Sequence, residues 1–593
     1  MRPLTDGCHK TLLPVNGVTL IGSLLATLES AGIRKVLIVT GYDAERVEQH
    51  VRERFDHLAL RFVHNEQYDV TNNIVSLAIA FEHLTLEEEL LLIEADLVMD
   101  AVILQRLITS PHAEAALLDR HRPGMDGTVV TVEAGVVTSV IPPHQQGADF
   151  NFSEKYKTLN VYKFSANFCQ RVFAGLLRYY AGAVDGTCYY ELILGILIYL
   201  KQVRIHAVMV EAGERWAELD DPVDLRVARW IFEPKDRRRI LEETMGGFWA
   251  FDVLDFCFLR NMHFPPPAML GELRRNLPAL LYNYGSVQAV LDEKLAWWLL
   301  CQPGRATAVN GLSQVYPWLS RRLKNRRILL PNPTFGEYAR GFPLHATYPD
   351  NFAINLQDVE RKLRDADICI VVSPNNPTGT EVDIGALFDL IERHPTKLFL
   401  VDESFQGFNT QLSLVSWLEK TPLPNVLVLA SLSKTMGVPG IRLGYVYTCD
   451  PTWRQALLEE LPIWNLNAVA EALLELSLKF RNEWRASLQT TRHDRAVFAD
   501  ELRACPVVEK VVEGGGNFVV AAMKEAATPP GGFAEWLLQE HNIYVKDISR
   551  RINDGRAWLR LAVRLPEENR QLVEALHVVP CSGMCLNFGT ASV

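Results

Sequence analysis

The 593-residue sequence lacks any apolar run approaching the ~18 residues of a membrane span; its best, Leu192 to Leu200, is far too short. It also lacks a surplus of positive charge. Lysine and arginine number 60 against 71 aspartates and glutamates, a net charge of −11, which argues against a sequence-general grip on DNA or RNA. Ten cysteines lie scattered and none forms a CxxC pair. Neither a zinc site nor a disulfide framework is therefore indicated, and reduced thiols in a cytoplasmic protein are the expectation. The opening Met1-Arg-Pro-Leu-Thr5 has neither the charged nor the apolar region of a secretory signal. No internal repeat or low-complexity segment appears. What is present is a soluble globular mixture, 48% hydrophobic and 22% charged, long enough for about three or four compact units.

Short aliphatic runs alternate with helical patterns through the first 245 residues. Thr19 to Ala31 and Asp43 to Phe55 read as helices; Lys35 to Thr40, Ala59 to Val63 and Glu89 to Ile93 read as strands. Such alternation predicts βαβ units and a mostly parallel sheet. The charged stretch Glu233 to Arg239 offers a boundary, although a solvated helix end explains it equally well. A second α/β series follows Phe264-Pro-Pro-Pro267, with strands over Arg327 to Leu330, Ile368 to Ser373, Leu398 to Asp402 and Val426 to Ala430. The expected domains are 1–240 and 246–580, with a tail over 581–593.

In the first half, Thr5 to Gly17 reads TDGCHKTLLPVNG, and Leu91-Leu-Ile-Glu-Ala-Asp96 is an apolar strand ending in a carboxylate. Ligands collect at the carboxyl ends of strands in open α/β sheets, where such an aspartate can hold Mg²⁺; a helix cap is its plain alternative. Arg215-Trp-Ala-Glu-Leu-Asp-Asp221 supplies further acids, and in a strand Glu218 and Asp220 would share a face. Together with Asn65 to Ser76, Arg122 to Thr128 and Tyr156 to Phe164, these segments resemble the phosphocholine and 2-aminoethylphosphonate cytidylyltransferases over essentially residues 1–235. The resemblance implies a Rossmann-like nucleotidyltransferase domain using CTP. Lys10 would stabilise charge as pyrophosphate leaves. Asp96 and Asp220 would hold the metal, and Asn72 and Asn73 would lie on the substrate side. Two departures stand out. His9 occupies the usual proline position, and the family's first strand and Gly-x-Gly-x-Arg loop are expected ahead of Met1, which then reads as an internal methionine; an inactive domain is the alternative.

In the second half, Ser431-Leu-Ser-Lys434 precedes Gly440-Ile-Arg-Leu-Gly-Tyr445. This spacing resembles the pyridoxal-phosphate (PLP) signature of fold-type I aminotransferases, with a large α/β domain and a small α+β domain. The resemblance makes Lys434 the covalent anchor and proton carrier, with Ser431 and Arg442 on the cofactor phosphate. Asn376 would contact the ring 3-oxygen and Asp402 the ring nitrogen, while Phe335 would stack on the ring. Val309-Asn-Gly-Leu-Ser313 would offer backbone donors, with Ser313 at the phosphate. Tyr284 would reach the phosphate of a neighbouring subunit in a homodimer. Trp558-Leu-Arg-Leu-Ala-Val-Arg564 resembles the threonine-phosphate decarboxylase branch beside histidinol-phosphate aminotransferases. Arg560 would bind the substrate carboxylate. Arg564 is a candidate for a second anion, a salt bridge being equally plausible.

Joined, the halves imply a bifunctional enzyme of a small phosphate- or phosphonate-bearing amine: cytidylyl transfer fused to PLP-dependent transamination. Small-molecule substrates and CTP would be its partners, with no nucleic acid and no membrane. Alternatives are an amino-acid-phosphate decarboxylase in the second half, or a PLP enzyme carrying an inactive nucleotidyltransferase scaffold. A PLP-sensing regulator would need a basic winged helix, and residues 1–245 resemble none.

Overall fold

The computed structural model describes residues 1–579 apart from 86, 123, 148 and 149. The expected tail 581–593, residue 580 and Pro123 of the Arg122–Thr128 segment thus lie outside the described residues. Two compact units divide between Asp252 and Val253. The charged stretch near 233–239 packs within the first. Buried Arg237 donates from Nε to the Trp230 carbonyl at 3.0 Å, and its guanidinium lies 5.3 Å from the Trp230 ring centre, because an arginine stem covers aromatic surface readily.

The longer strands of the first unit are β1 (Lys35–Thr40), β2 (Ala59–His64), β3 (Leu90–Ile93), β4 (Leu97–Met99), β5 (Ala115–Arg120), β6 (Val129–Glu133), β7 (Val136–Ile141), β8 (Tyr156–Phe164), β9 (His206–Met209) and β10 (Trp216–Glu218). β1 and β2 pair in parallel. The larger sheet runs β3-β8-β5-β9-β7-β6. It is mixed rather than mostly parallel, because β8 runs antiparallel to β3, β5 and β6. Apolar alternation reports which faces are buried, not which way a strand runs. The helix Leu20–Ser30 starts where the Thr19 side chain accepts from the Gly22 amide. It buries Ile21, Leu24, Leu25 and Leu28 in a cluster with Ile103, Leu104 and Leu107. β4 and β10 pair antiparallel, Leu97 opposite Glu218. That pairing brings the turn after β3 beside the chain leaving β10.

The second unit centres on a seven-stranded sheet of β11 (Ala306–Val309), β12 (Ile328–Asn332), β13 (His345–Pro349), β14 (Ile368–Val372), β15 (Leu398–Asp402), β16 (Val426–Ser431) and β17 (Gly444–Thr448). Their order is β11-β17-β16-β15-β14-β12-β13, parallel except for β17. β14 is buried at every residue, as expected of a strand with both faces covered. Val372 pairs with Asp402 across the carboxyl ends of β14 and β15. A smaller antiparallel sheet follows: β18 (Val508–Glu513), β19 (Phe518–Met523), β20 (Lys546–Asp547) and β21 (Ala557–Ala562), in the order β18-β19-β21-β20. Among the described residues, no helix is long and apolar enough to cross a membrane.

Candidate active sites

In the first unit Lys10 opens a single turn, Lys10–Leu12, capped by the His9 side chain. Its ammonium reaches Asp96 Oδ2 at 2.6 Å, Asp220 Oδ1 at 3.2 Å and the Leu219 carbonyl at 3.4 Å. Burial works against the charge of Lys10, but Asp96 and Asp220 more than offset it and raise its pKa. The β4–β10 pairing is what joins these three residues. Asp96 Oδ1 is buried without a hydrogen-bond partner. An orphaned carboxylate oxygen beside a second, more exposed aspartate suits a hard divalent cation.

A second acidic group lies deeper. Glu94, Asp96 and Glu218 offer oxygens within 4.8 Å of one another. Buried Lys157 pairs with Glu218 at 2.9 Å, and the Asn160 amide donates to both Glu94, at 3.2 Å, and Glu218, at 3.3 Å. Burial, then Glu191, Asp96 and Glu218, pushes the Glu94 carboxyl up to about 8. Burial likewise raises Glu218 and Glu191. The compact trio differs from the expected Asp96–Asp220 pair. Glu218 pairs with the Lys157 ammonium, whereas Asp96 and Asp220 share that of Lys10. Glu218 and Asp220 serve different partners because β10 ends at Glu218. Asn73 turns inward, donating to Glu94 at 3.0 Å and Glu191 at 3.5 Å. The Asn72 side chain instead caps the helix Asn73–His83. Glu94, Lys157, Asn160, Glu191 and Glu218 were not singled out as site residues from sequence. The only local signal was an acid two residues before each expected metal ligand.

In the second unit Lys434 lies on a short helix, Leu432–Thr435, directly after β16. Burial first, then the Arg560 and Arg442 guanidinium groups, bring its ammonium down to about 8. Arg442, in the left-handed region at φ 61°, donates to Ser313 Oγ at 2.9 Å and to the Pro439 carbonyl at 3.2 Å. Gly311 has φ +70°, and a Cβ there would stand 2.5 Å from Arg442 Nη2; glycine keeps this cradle open. Ser313 falls in the one-turn helix Leu312–Gln314, which leads into Val315–Leu323. Ser431 closes β16, its amide donating to Ser404 Oγ at 3.1 Å.

Asp402, at the end of β15, is buried and accepts from the Tyr338 hydroxyl at 2.6 Å and the Ser404 amide at 2.9 Å. Burial raises its pKa. Asn376 Oδ1 accepts from Arg560 Nη1 at 2.6 Å, and Arg560 also donates to the Cys257 carbonyl. Phe335 packs 6.0 Å from Tyr316, between ring centres. Arg564 pairs through Nε and Nη2 with Glu568, at 3.1 and 2.7 Å, and donates to the Asp255 carbonyl at 2.7 Å. The salt bridge held as the alternative for Arg564 is therefore present. Tyr284 is 78% exposed and stacks on Trp464 at 4.2 Å, at the surface of the protomer.

The cradle of Ser313, Arg442 and Gly311, the acid of Asp402 and a lysine of lowered pKa together fit a phosphorylated pyridine cofactor. A family model described as aminotransferase class I and II matches residues 261–576. The chain belongs to this family. Ahead of that aminotransferase region, a MobA-like NTP transferase domain matches residues 4–140. The chain is 32% identical over 585 residues to CMP-5'-(3-aminopropyl)phosphonate synthase of Streptomyces rubellomurinus, a match covering 96% of this chain and 91% of that protein. L-serine phosphate decarboxylase of Sulfurospirillum multivorans is 28% identical over 362 residues, covering 57% of this chain and 91% of that one. Histidinol-phosphate aminotransferase from Sinorhizobium meliloti, solved with pyridoxal 5'-phosphate, superposes with a TM-score of 0.50 at 16% identity, covering 58% of this chain and 93% of that one. It shares the fold of the second unit. The protein is thus a nucleotidyltransferase fused to a PLP-dependent, aminotransferase-type enzyme.

Proposed function

We propose that the first unit transfers a cytidylyl group from CTP to the phosphonate or phosphate oxygen of a small amine, such as 2-aminoethylphosphonate, phosphocholine or phosphoethanolamine. The acceptor oxygen attacks the α-phosphorus, and the bond to pyrophosphate breaks. Lys10 stabilises the charge that develops on the leaving oxygens; Asp96 and Asp220 would hold a Mg²⁺, which would supply further stabilisation of charge on the phosphoryl oxygens. The observation that carries this reading is the Lys10–Asp96–Asp220 cluster, with bonds of 2.6 and 3.2 Å. One relative that spans nearly the whole chain is named for a CMP-5'-(3-aminopropyl)phosphonate.

The second unit acts on a related amino compound by transamination. PLP, when bound, supplies the electron sink. Ser313, Ser431 and Arg442 hold its phosphate, and Asn376, Asp402 and Phe335 hold its ring. Arg560 orients the substrate anion, and Lys434 moves the proton at the substrate carbon. Decarboxylation by the same residues is the second reading, favoured by the relative named for L-serine phosphate. Two copies assemble through the second unit, with Tyr284 completing the partner's phosphate site.

Pyrophosphate release from CTP and Mg²⁺ tests the first half, with 2-aminoethylphosphonate, phosphocholine and phosphoethanolamine as acceptors. At least one acceptor is expected to sustain release. Lys10→Ala should cut kcat by roughly 10²–10³-fold, as loss of a fixed donor to a developing anion does. Full activity in that variant would refute the assignment. Carbon dioxide evolution set against amino-group transfer to a keto acid decides between the two readings of the second half.

A further inference from the structure

Lys434 stands on a helix of only four residues, Leu432–Thr435. One turn barely sustains itself, since nucleating a helix fixes several residues for a single hydrogen bond. Its last carbonyls must find donors beyond the turn. They find them on a segment far away in sequence. The Asn261 main-chain amide donates to the Lys434 carbonyl at 2.9 Å, beside a longer bond from the Gly437 amide at 3.3 Å. Asn261 Nδ2 donates to the Thr435 carbonyl at 2.9 Å. Nδ2 also donates to Ser487 Oγ at 2.8 Å, while Oδ1 accepts from the His263 amide at 3.0 Å and from Thr491 Oγ1 at 3.3 Å. With Asn261 only 1% exposed and all four amide positions used, one orientation is strongly favoured. Trp484 Nε1 brings a second side-chain donor to the Thr435 carbonyl, at 3.2 Å. Gly437, at φ +68°, makes the close approach possible: a Cβ there would run into the carbonyl oxygens of Asn261 and Phe264. The same segment takes a bond from Arg560 at the Cys257 carbonyl, so one stretch of chain braces both Lys434 and Arg560.

We propose that Asn261 is a positioning residue for Lys434: it holds the turn that aims the amine at the PLP aldehyde, without gripping the cofactor itself. The proposal rests on Lys434 being the residue that captures PLP. In that capture the Lys434 nitrogen bonds to the aldehyde carbon, and its two protons leave with the aldehyde oxygen as water. The neutral amine must therefore arrive at one point in one orientation. None of the Asn261 side-chain bonds goes to Ser313, Arg442, Asn376 or Asp402. Its loss therefore leaves the phosphate cradle and the acid at the ring in place.

Two measurements on cofactor-free, full-length protein separate aim from grip. One is the rate of PLP capture, followed by absorbance. The other is the Kd of 4-deoxypyridoxine 5'-phosphate, which keeps the phosphate, the ring nitrogen and the 3-oxygen but has no aldehyde. Asn261→Ala should slow capture near neutral pH by about tenfold or more. Its Kd for the analogue should stay within about twofold of wild type. The pH at which capture levels off should climb from about 8 toward that of an ordinary lysine, because a loosened turn lets water reach the ammonium. Equal losses in capture rate and analogue affinity mean general damage and overturn the proposal, as does capture at the wild-type rate. Borohydride fixation and peptide mapping of the wild type locate the cofactor. If it maps to a residue other than Lys434, that assignment fails and takes the proposal with it; if it maps to Lys434, the outcome bears on Asn261 alone. Should Asn261→Ala not fold, Trp484→Phe carries the same comparison. It removes the other side-chain donor to the Thr435 carbonyl and keeps a ring against Trp298, now 4.8 Å away between ring centres. Capture slowed about threefold with analogue binding unchanged upholds the proposal, and unslowed capture overturns it.

Discussion

The surroundings of Lys434 change its chemistry. Burial and two neighbouring guanidinium groups lower its pKa from 10.5 to about 8, and only the neutral amine attacks a carbonyl. In cofactor-free protein, PLP capture should therefore quicken about tenfold per pH unit up to about 8, then level off. An ordinary lysine would continue to gain until near its usual value. Following cofactor absorbance over a pH series measures this, and a rise persisting beyond pH 10 would contradict the enclosure described. The sign for stability follows from the same shift. Between about 8 and 10.5 the unfolded chain binds the extra proton, so the apo protein gains stability from this group as pH rises through that window.

Among elements, the loop after β14 and the strand β21 meet where Arg560 Nη1 donates to Asn376 Oδ1. Asp350, only 1% exposed, accepts from Asn375, Thr378 and Thr380, each at 2.6 Å. These bonds fix the Ser373–Thr380 loop that carries Asn376. Asp350→Ala would orphan buried donors and should cost about 3 kcal/mol, seen as a clear fall in melting temperature together with weaker PLP retention. A melt unchanged from wild type would show that the loop holds itself. On β21 and just beyond it, Arg560 and Arg564 should separate in their effects. Arg560→Ala removes the bond to Asn376 and should raise KM for the amino substrate by about tenfold or more. Arg564→Ala breaks the pair with Glu568 at the start of the helix Pro566–His577, and should lower the melting temperature while KM stays within about twofold. The reverse pattern would restore Arg564 as a substrate ligand.

At the scale of the whole molecule, the second unit exposes large apolar side chains at the end of the helix Pro267–Tyr282. Leu281 is 68% exposed and Tyr282 88%, with Ile463 at 70% not far along the chain from Trp464. Exposed apolar side chains can form an interaction site, and a two-fold interface would cover these while bringing Tyr284 to a second copy. Light scattering should find a dimer. Tyr284→Ala should loosen PLP binding without changing the protomer's melt, since within one chain the ring only stacks on Trp464. A fully active monomer at nanomolar concentration would refute the shared site.

Order along the chain determined much of this. Lys434 and Arg442 lie within one turn of helix and one loop after β16, so the Arg442 charge reaches the Lys434 ammonium through a short stretch of chain. Asp402 was legible for the same reason, as the last residue of a strand buried on both faces. Lys10, Asp96 and Asp220 could be named from their segments, but their meeting depends on β4 pairing with β10. The rest was decided only by tertiary structure. Glu94 and Glu191 come from a strand end and a distant helix, and no periodicity connects them. Arg560 and Arg564 share a segment and a charge, yet one faces Asn376 and the other is claimed by Glu568. Spacing records which residues can be close along the chain; burial and competition for hydrogen bonds settle which charges remain free.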